Sequence, residues 1–154
     1  MKITDWAMKK QCELLKRIGK GERVLIGEYD ESIYYTNREA TILLRIPEKL
    51  WLLNTERARN GGKELGLDII KRNIGVEADF RLAKKDGIAY TRDRELAVFI
   101  NDKYGVYVDT KLIKEFPKGA QFFTSGSISA VRVYYENAFI GIVMPTRFAK
   151  EETA

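Results

Sequence analysis

Two stretches of the chain set cations at helical spacing. Lys9, Glu13, Lys16 and Lys20 share one helix face with Lys10 and Arg17 adjoining it, and Lys111, Lys114 and Lys118, with Glu115 beside them, form a second row. Residues three and four apart lie on one side of a helix, so each row would present ammonium groups in a line. The chemistry open to such a line is the binding of a polyanion's phosphates, which draws on counterion release and reads no base edge, so it is sequence-independent. The same pattern also serves as the solvated face that any surface helix needs.

Other chemistries have less to work with. Histidine is absent, which removes the commonest general base and the usual zinc ligand. Asp79, Asp86, Asp93 and Asp102 scatter through strand-rich and turn-rich sequence, a spacing that fits loop tips better than a metal cage. Asn60-Gly61-Gly62 lacks the lysine-serine pair of a phosphate loop. The expectation is a protein without catalysis, cofactor or bound metal. Cys12 is the single cysteine; it falls in an amphipathic helical pattern and is expected to be a buried small hydrophobe.

Lysine and arginine total 27 against 22 acids, giving +5 and a pI near 9.2, which suits a polyanion partner. No apolar run reaches the length of about 18 residues that a membrane helix needs, and MKITDWAMKKQCELLKR carries charges where a signal peptide has its apolar centre. A cytoplasmic protein is expected, with no membrane partner.

The elements that would position these rows are repeated. KGERVLIGEYDESIYYTNREATILLRIP, Lys20 to Pro47, aligns without a gap on KGAQFFTSGSISAVRVYYENAFIGIVMP, Lys118 to Pro145, at a constant offset of 98. The offset continues backward, placing Leu14, Leu15, Lys16 and Ile18 opposite Leu112, Ile113, Lys114 and Phe116. In the first unit, Thr4 or Asp5 caps a helix with the apolar stripe Met8, Cys12 and Leu15, Leu14 and Ile18 beside it, and Gly19 or Gly21 ends it. VLIGEY, IYYTN and TILLRIP follow as a three-strand meander. In the second unit Asp109 caps a shorter helix, DTKLIKEF, ahead of AQFFTSG, AVRVYYE and FIGIVMP. Between them lie two helix-like stretches, then strands from Ala78. The expected fold is α+β: two repeated helix-plus-antiparallel-strand subdomains over residues 1–60 and 76–154, joined by a helical connection at 61–75. Tyr34-Tyr35 and Tyr134-Tyr135 are expected on sheet faces, one ring of each pair turned inward, and Trp6 and Trp51 to anchor helices against the sheets.

A helix, then strands, then a final apolar strand ending in VMPTR, Val143 to Arg147, resembles the C-terminal part of the bacterial replicative sliding clamp, the beta subunit of DNA polymerase III. YVDTKLI, Tyr107 to Ile113, is similar to the strand-into-helix step before that subunit's last three strands. The likeness covers residues 96 to 148 well, 5 to 47 more weakly and the middle poorly. It implies a DNA-clamp-like fold and three kinds of partner: double-stranded DNA against Lys9, Lys10, Lys16, Arg17, Lys20, Lys111, Lys114 and Lys118; replication proteins whose peptides dock at Ile142, Met144, Pro145, Thr146 and Arg147; and further copies of the chain, since two subdomains per chain close a six-unit ring as a trimer. Thr146 stands where the bacterial motif commonly has methionine, making that pocket smaller or more polar. Residues 142–147 also serve simply as a core strand ended by proline.

Overall fold

The computed structural model describes residues 2–22, 24–36, 41–53, 63–64, 71, 79–101 and 104–147. The chain opens with helix α1 (Ile3–Gly19). Asp5 accepts a hydrogen bond from the Lys2 backbone N–H (3.4 Å) at its start. At its end Gly21 takes φ +76°, while the Glu22 and Gly21 N–H groups donate to the Arg17 and Ile18 carbonyls, both at 3.0 Å. Those two bonds satisfy carbonyls that the helix leaves open, and glycine adopts the left-handed turn without a Cβ penalty.

The strands β1 (Leu25–Tyr29), β2 (Ser32–Thr36) and β3 (Ile42–Pro47) form an antiparallel meander. A 3₁₀ turn (Glu48–Leu50) and the two-residue β4 (Lys63–Glu64) follow. Then come β5 (Arg81–Tyr90), β6 (Glu95–Ile100), β7 (Gly105–Asp109), the single-turn helix α2 (Thr110–Ile113), β8 (Gln121–Thr124), β9 (Val131–Tyr135) and β10 (Ala138–Val143). The hairpins β1–β2 and β9–β10 turn on two residues each, Asp30-Glu31 and Glu136-Asn137, all with positive φ, the mirror-image turn that matches the twist of paired strands.

All ten strands join in the order β4-β1-β2-β3-β10-β9-β8-β5-β6-β7. β4 pairs β1 in parallel, and every other pairing is antiparallel. This overturns the expected α+β arrangement of two helix-plus-strand subdomains: the protein is mainly β, built on one continuous sheet, and among the described residues α1 is the one helix longer than a single turn. The expected second helix, DTKLIKEF, keeps its Asp109 cap but is cut to one turn, Thr110–Ile113, for a local reason. Val106, Tyr107 and Val108 are β-branched or aromatic and pair with β6 as strand β7. Asp109 caps the turn that follows, accepting from the Lys111 N–H at 2.9 Å, and Pro117 bars its extension. The helix-like stretches expected between Asn54 and Gly75 lie outside the described residues, apart from β4 and Lys71.

The strand part of the repeat survives and meets itself. β3 and β10 pair through Leu44↔Gly141, Leu43↔Ile142 and Ile42↔Val143, and the offset of 98 carries the first of these pairs onto the second. Arg17 and Glu115, 98 residues apart, touch each other. Gly21 and Gly119, another equivalent pair, both take positive φ, +76° and +88°.

The main core lies on the α1 side of the sheet, where Trp6, Leu14, Ile26, Ile33, Tyr35, Ile46, Phe99, Val108, Phe122, Val133 and Ile140 are buried together. Tyr34, Leu43 and Ile142 form a small cluster on the other face, so β2 is buried on both sides. After β10 the chain crosses to β7: the Met144 N–H donates to the Thr41 carbonyl (2.9 Å) and the Thr146 N–H to the Tyr107 carbonyl (2.7 Å). The bonded order from β10 through β9, β8, β5 and β6 to β7 thereby comes back to the segment that follows β10.

The phase of α1 also differs from expectation. Trp6, Ala7, Lys10, Gln11 and Leu14 face the sheet, whereas Cys12 is exposed and Met8 and Leu15 are 50% and 49% exposed. The helix is turned by about one residue, roughly 100°. Burying a tryptophan removes more apolar surface than burying Met8, and the polar residues this brings inside find partners. Gln11 donates to the Leu50 carbonyl (2.9 Å) and accepts from the Leu52 N–H (2.6 Å), which ties the 3₁₀ turn to α1.

Candidate nucleic-acid interface

α1 and the turn after α2 meet at one tryptophan. Trp6 stacks on Phe116, ring centroids 6.4 Å apart, and its Nε1–H donates to the Glu115 carbonyl (3.0 Å). This is the anchoring expected of Trp6, and Trp51 packs half-buried against the same core. The contact brings the Glu115 carboxylate under the helix, where it takes Lys10 on one oxygen and Arg17, at 3.4 Å, on the other; Lys10 also pairs with Glu13 at 3.0 Å. With its side chain 5% exposed, Lys10 is a structural cation held by two carboxylates and contributes little to any free row.

The remaining cations of α1 and the turn stay in solvent. Lys9, Lys16, Lys20, Lys114 and Lys118 are exposed and Arg17 is half-buried. Lys16, Arg17, Lys20 and Lys114 converge with Lys10, Glu13, Glu22 and Glu115 around a depression of about 350 Å³. Two of its three acids are the partners of Lys10 and Arg17, so a positive surplus faces outward. Lys111, exposed on α2, lies outside this group.

A deeper concavity of about 850 Å³ opens beside it, between α1, the turn at 113–119 and β5, and carries Lys9, Lys84, Lys85, Lys114 and Lys118. Lys84 and Lys85 are missing from the sequence-derived set. Their signal was a pair of adjacent lysines in an otherwise strand-like run, which shows nothing about what they face until the pairing of β5 is known.

The segment 142–147 divides differently. Ile142 is 2% exposed beneath the second face of the sheet, Met144 is 37% exposed, Pro145 and Thr146 are half-buried, and Arg147 is exposed. Ile142 is therefore core, as a strand ended by proline requires.

Tyr35 lies below the Lys10–Glu115–Arg17 knot. Burial pushes its pKa well above the ordinary tyrosine value, and the negative charges of Glu115 and Glu13 push the same way. Tyr34, on the opposite face, is also raised by burial, with the Arg45 guanidinium opposing the rise. Both rings of this pair are buried, so neither is offered to a base. Among the described residues no cluster of three or more Cys, Asp or Glu side chains is placed to hold a metal ion, and no helix is long and apolar enough to cross a membrane.

No family model, curated protein or solved structure matches this chain. The functional reading rests on the chemistry of the site itself.

Proposed function

We propose that this protein binds double-stranded DNA through its phosphates, without sequence preference and without catalysis, as a cytoplasmic DNA-associated protein related to the sliding clamps and acting as an oligomer. The observation that carries the reading is the convergence of Lys16, Arg17, Lys20 and Lys114 on one depression where two of the three acids are already paired. Contacts of this kind release counterions; four of them give a slope of log affinity against log salt of about −3 to −4.

The test combines solution mass with DNA titration. Binding of unrelated duplexes with equal affinity, a slope in that range, a loss of about two from the slope in Lys16→Glu/Lys20→Glu, and a mass of more than one chain support the reading. Binding that ignores salt, or survives the double charge reversal, overturns the interface; a monomer that still binds DNA overturns only the oligomer.

A second reading, docking of a replication protein's apolar peptide along residues 142–147, is favoured by one observation: Met144 is exposed on backbone pinned by hydrogen bonds to Thr41 and Tyr107. Met144→Ala should then weaken such a peptide while leaving DNA binding unchanged.

A further inference from the structure

We propose that the 850 Å³ groove between α1 and β5 docks an extended acidic peptide carrying an apolar anchor residue. The groove exists because the sheet divides there. β5 pairs with β8 from Arg81 to Ala83, and from Lys84 onward it pairs with β6 instead. A bulge between Lys85 and Ile88, with Gly87 at φ +106°, then bends the strand. Among the described residues no strand continues the β8 ladder past Ala83↔Phe122, so an extended backbone edge borders the opening.

The floor and the rim have opposite character. Phe122 packs against Phe99 and Phe116, with centroids 4.6 and 6.2 Å apart, as an aromatic base, and Leu82, 49% exposed, stands on the wall. Lys9, Lys84, Lys85, Lys114 and Lys118 surround it. Among the described lining residues the one carboxylate is Glu115, which already holds Lys10 and Arg17. Among the described lining residues no carboxylate is therefore left uncommitted.

Each feature asks something different of the occupant. The floor asks for an apolar group, five separated ammonium groups ask for several negative charges on one molecule, and the open strand edge asks for a main chain able to pair with it. A fatty acid brings a single charge, and a duplex brings no apolar group to the floor. A peptide with acids flanking a Phe or Leu meets all three demands, within a volume of the size that ligand sites use. Leu82, Lys84 and Lys85 lie outside the depression beside the end of α1, so the inference goes beyond DNA binding and does not depend on it.

The experiment titrates the full chain into a fluorescein-labelled peptide, EDEFLDDE, and reads anisotropy. The expected result is saturable binding that weakens with salt, falls at least about tenfold in Lys84→Glu/Lys85→Glu and in Leu82→Glu, and falls by a similar factor when the peptide backbone is N-methylated beside the Phe. These three positions are exposed, and circular dichroism confirms that the variants fold. Duplex affinity should change less than twofold in the same variants. Four outcomes overturn the proposal: no peptide binding; equal binding of the N-methylated peptide; dodecanoate binding more tightly than the peptide in competition; or duplex and peptide weakening by the same factor, which would make the groove part of the DNA face. Failure of DNA binding itself appears only in the Lys16→Glu/Lys20→Glu titration and leaves this test standing.

Discussion

α1 and residues 101–117 occupy equivalent places in the repeat, yet one builds a helix of 17 residues and the other a strand followed by a single helical turn. The strands after them hardly differ: β1 to β3 and β8 to β10 are both antiparallel meanders packed on a common core. The difference teaches that a meander tolerates exchange of its side chains as long as the in-and-out alternation is kept. A helix depends on every residue along its length. Gly105 and the Val106-Tyr107-Val108 run remove that possibility from the second half, whereas Ala7, Glu13, Leu14 and Lys16 keep it in the first. The basic row is unequal for the same reason: α1 and its C-cap give Lys9, Lys16 and Lys20, exposed at helical spacing, and the counterpart gives Lys114 and Lys118 from a turn.

If the halves are welded through α1, removing the weld should cost the most. Trp6→Ala deletes the Phe116 stack and the bond to Glu115, and we expect a loss of about 3–5 kcal/mol with one unfolding transition in guanidinium; two transitions would mean the halves are separately stable. The seam comes next. A Cβ at position 141 would sit 2.6 Å from the Leu43 carbonyl oxygen and 2.9 Å from the Phe116 ring, so Gly141→Ala should destabilise by about 1–3 kcal/mol, measured the same way. A cost near zero would show that the seam between β3 and β10 is loose.

Tyr35 sharpens the comparison in the other direction. Among the described residues its buried hydroxyl has no hydrogen-bond partner, so Tyr35→Phe should be neutral or stabilising by about 1 kcal/mol. Its raised pKa means that the folded state holds the proton more tightly than the unfolded chain. The corresponding stability is fully present below the ordinary tyrosine value near 10.0 and is lost as pH rises above it. Denaturant midpoints measured on both sides of that pH should fall more steeply for the wild type than for the phenylalanine variant. The smallest effect belongs to Cys12→Ser: an exposed site predicts a change within about 0.5 kcal/mol, whereas a loss above 2 kcal/mol would restore the expected buried stripe.

The strands were legible because Ile, Val, Tyr and Phe runs broken by Asp-Glu, Glu-Asn and proline carry their own boundaries. The rotation of α1 was not. A periodicity argument counts Lys10 and Gln11 as outward, and only Glu115, Leu50 and Leu52, distant in sequence, make their burial tolerable. The cap of the second helix at Asp109 was legible, but its length was not: the helix stops at Ile113 instead of running on to Phe116. Of the proposed interface, the α1 and turn lysines were visible in the sequence. Lys84 and Lys85 were not, since their exposure toward the groove follows from β5 changing partners at Ala83.

The register between β3 and β10 has a further consequence. A strand pairing carried onto itself when its two members are exchanged meets the condition for an isologous contact, the kind that holds two identical subunits about a dyad. Here both members are covalently joined in one polypeptide, so the edge that would recruit a second molecule is already filled from within. A shorter chain carrying Leu25–Pro47 without its later counterpart would expose that edge, and its shortest route to satisfying those backbone groups would be dimerisation through β3.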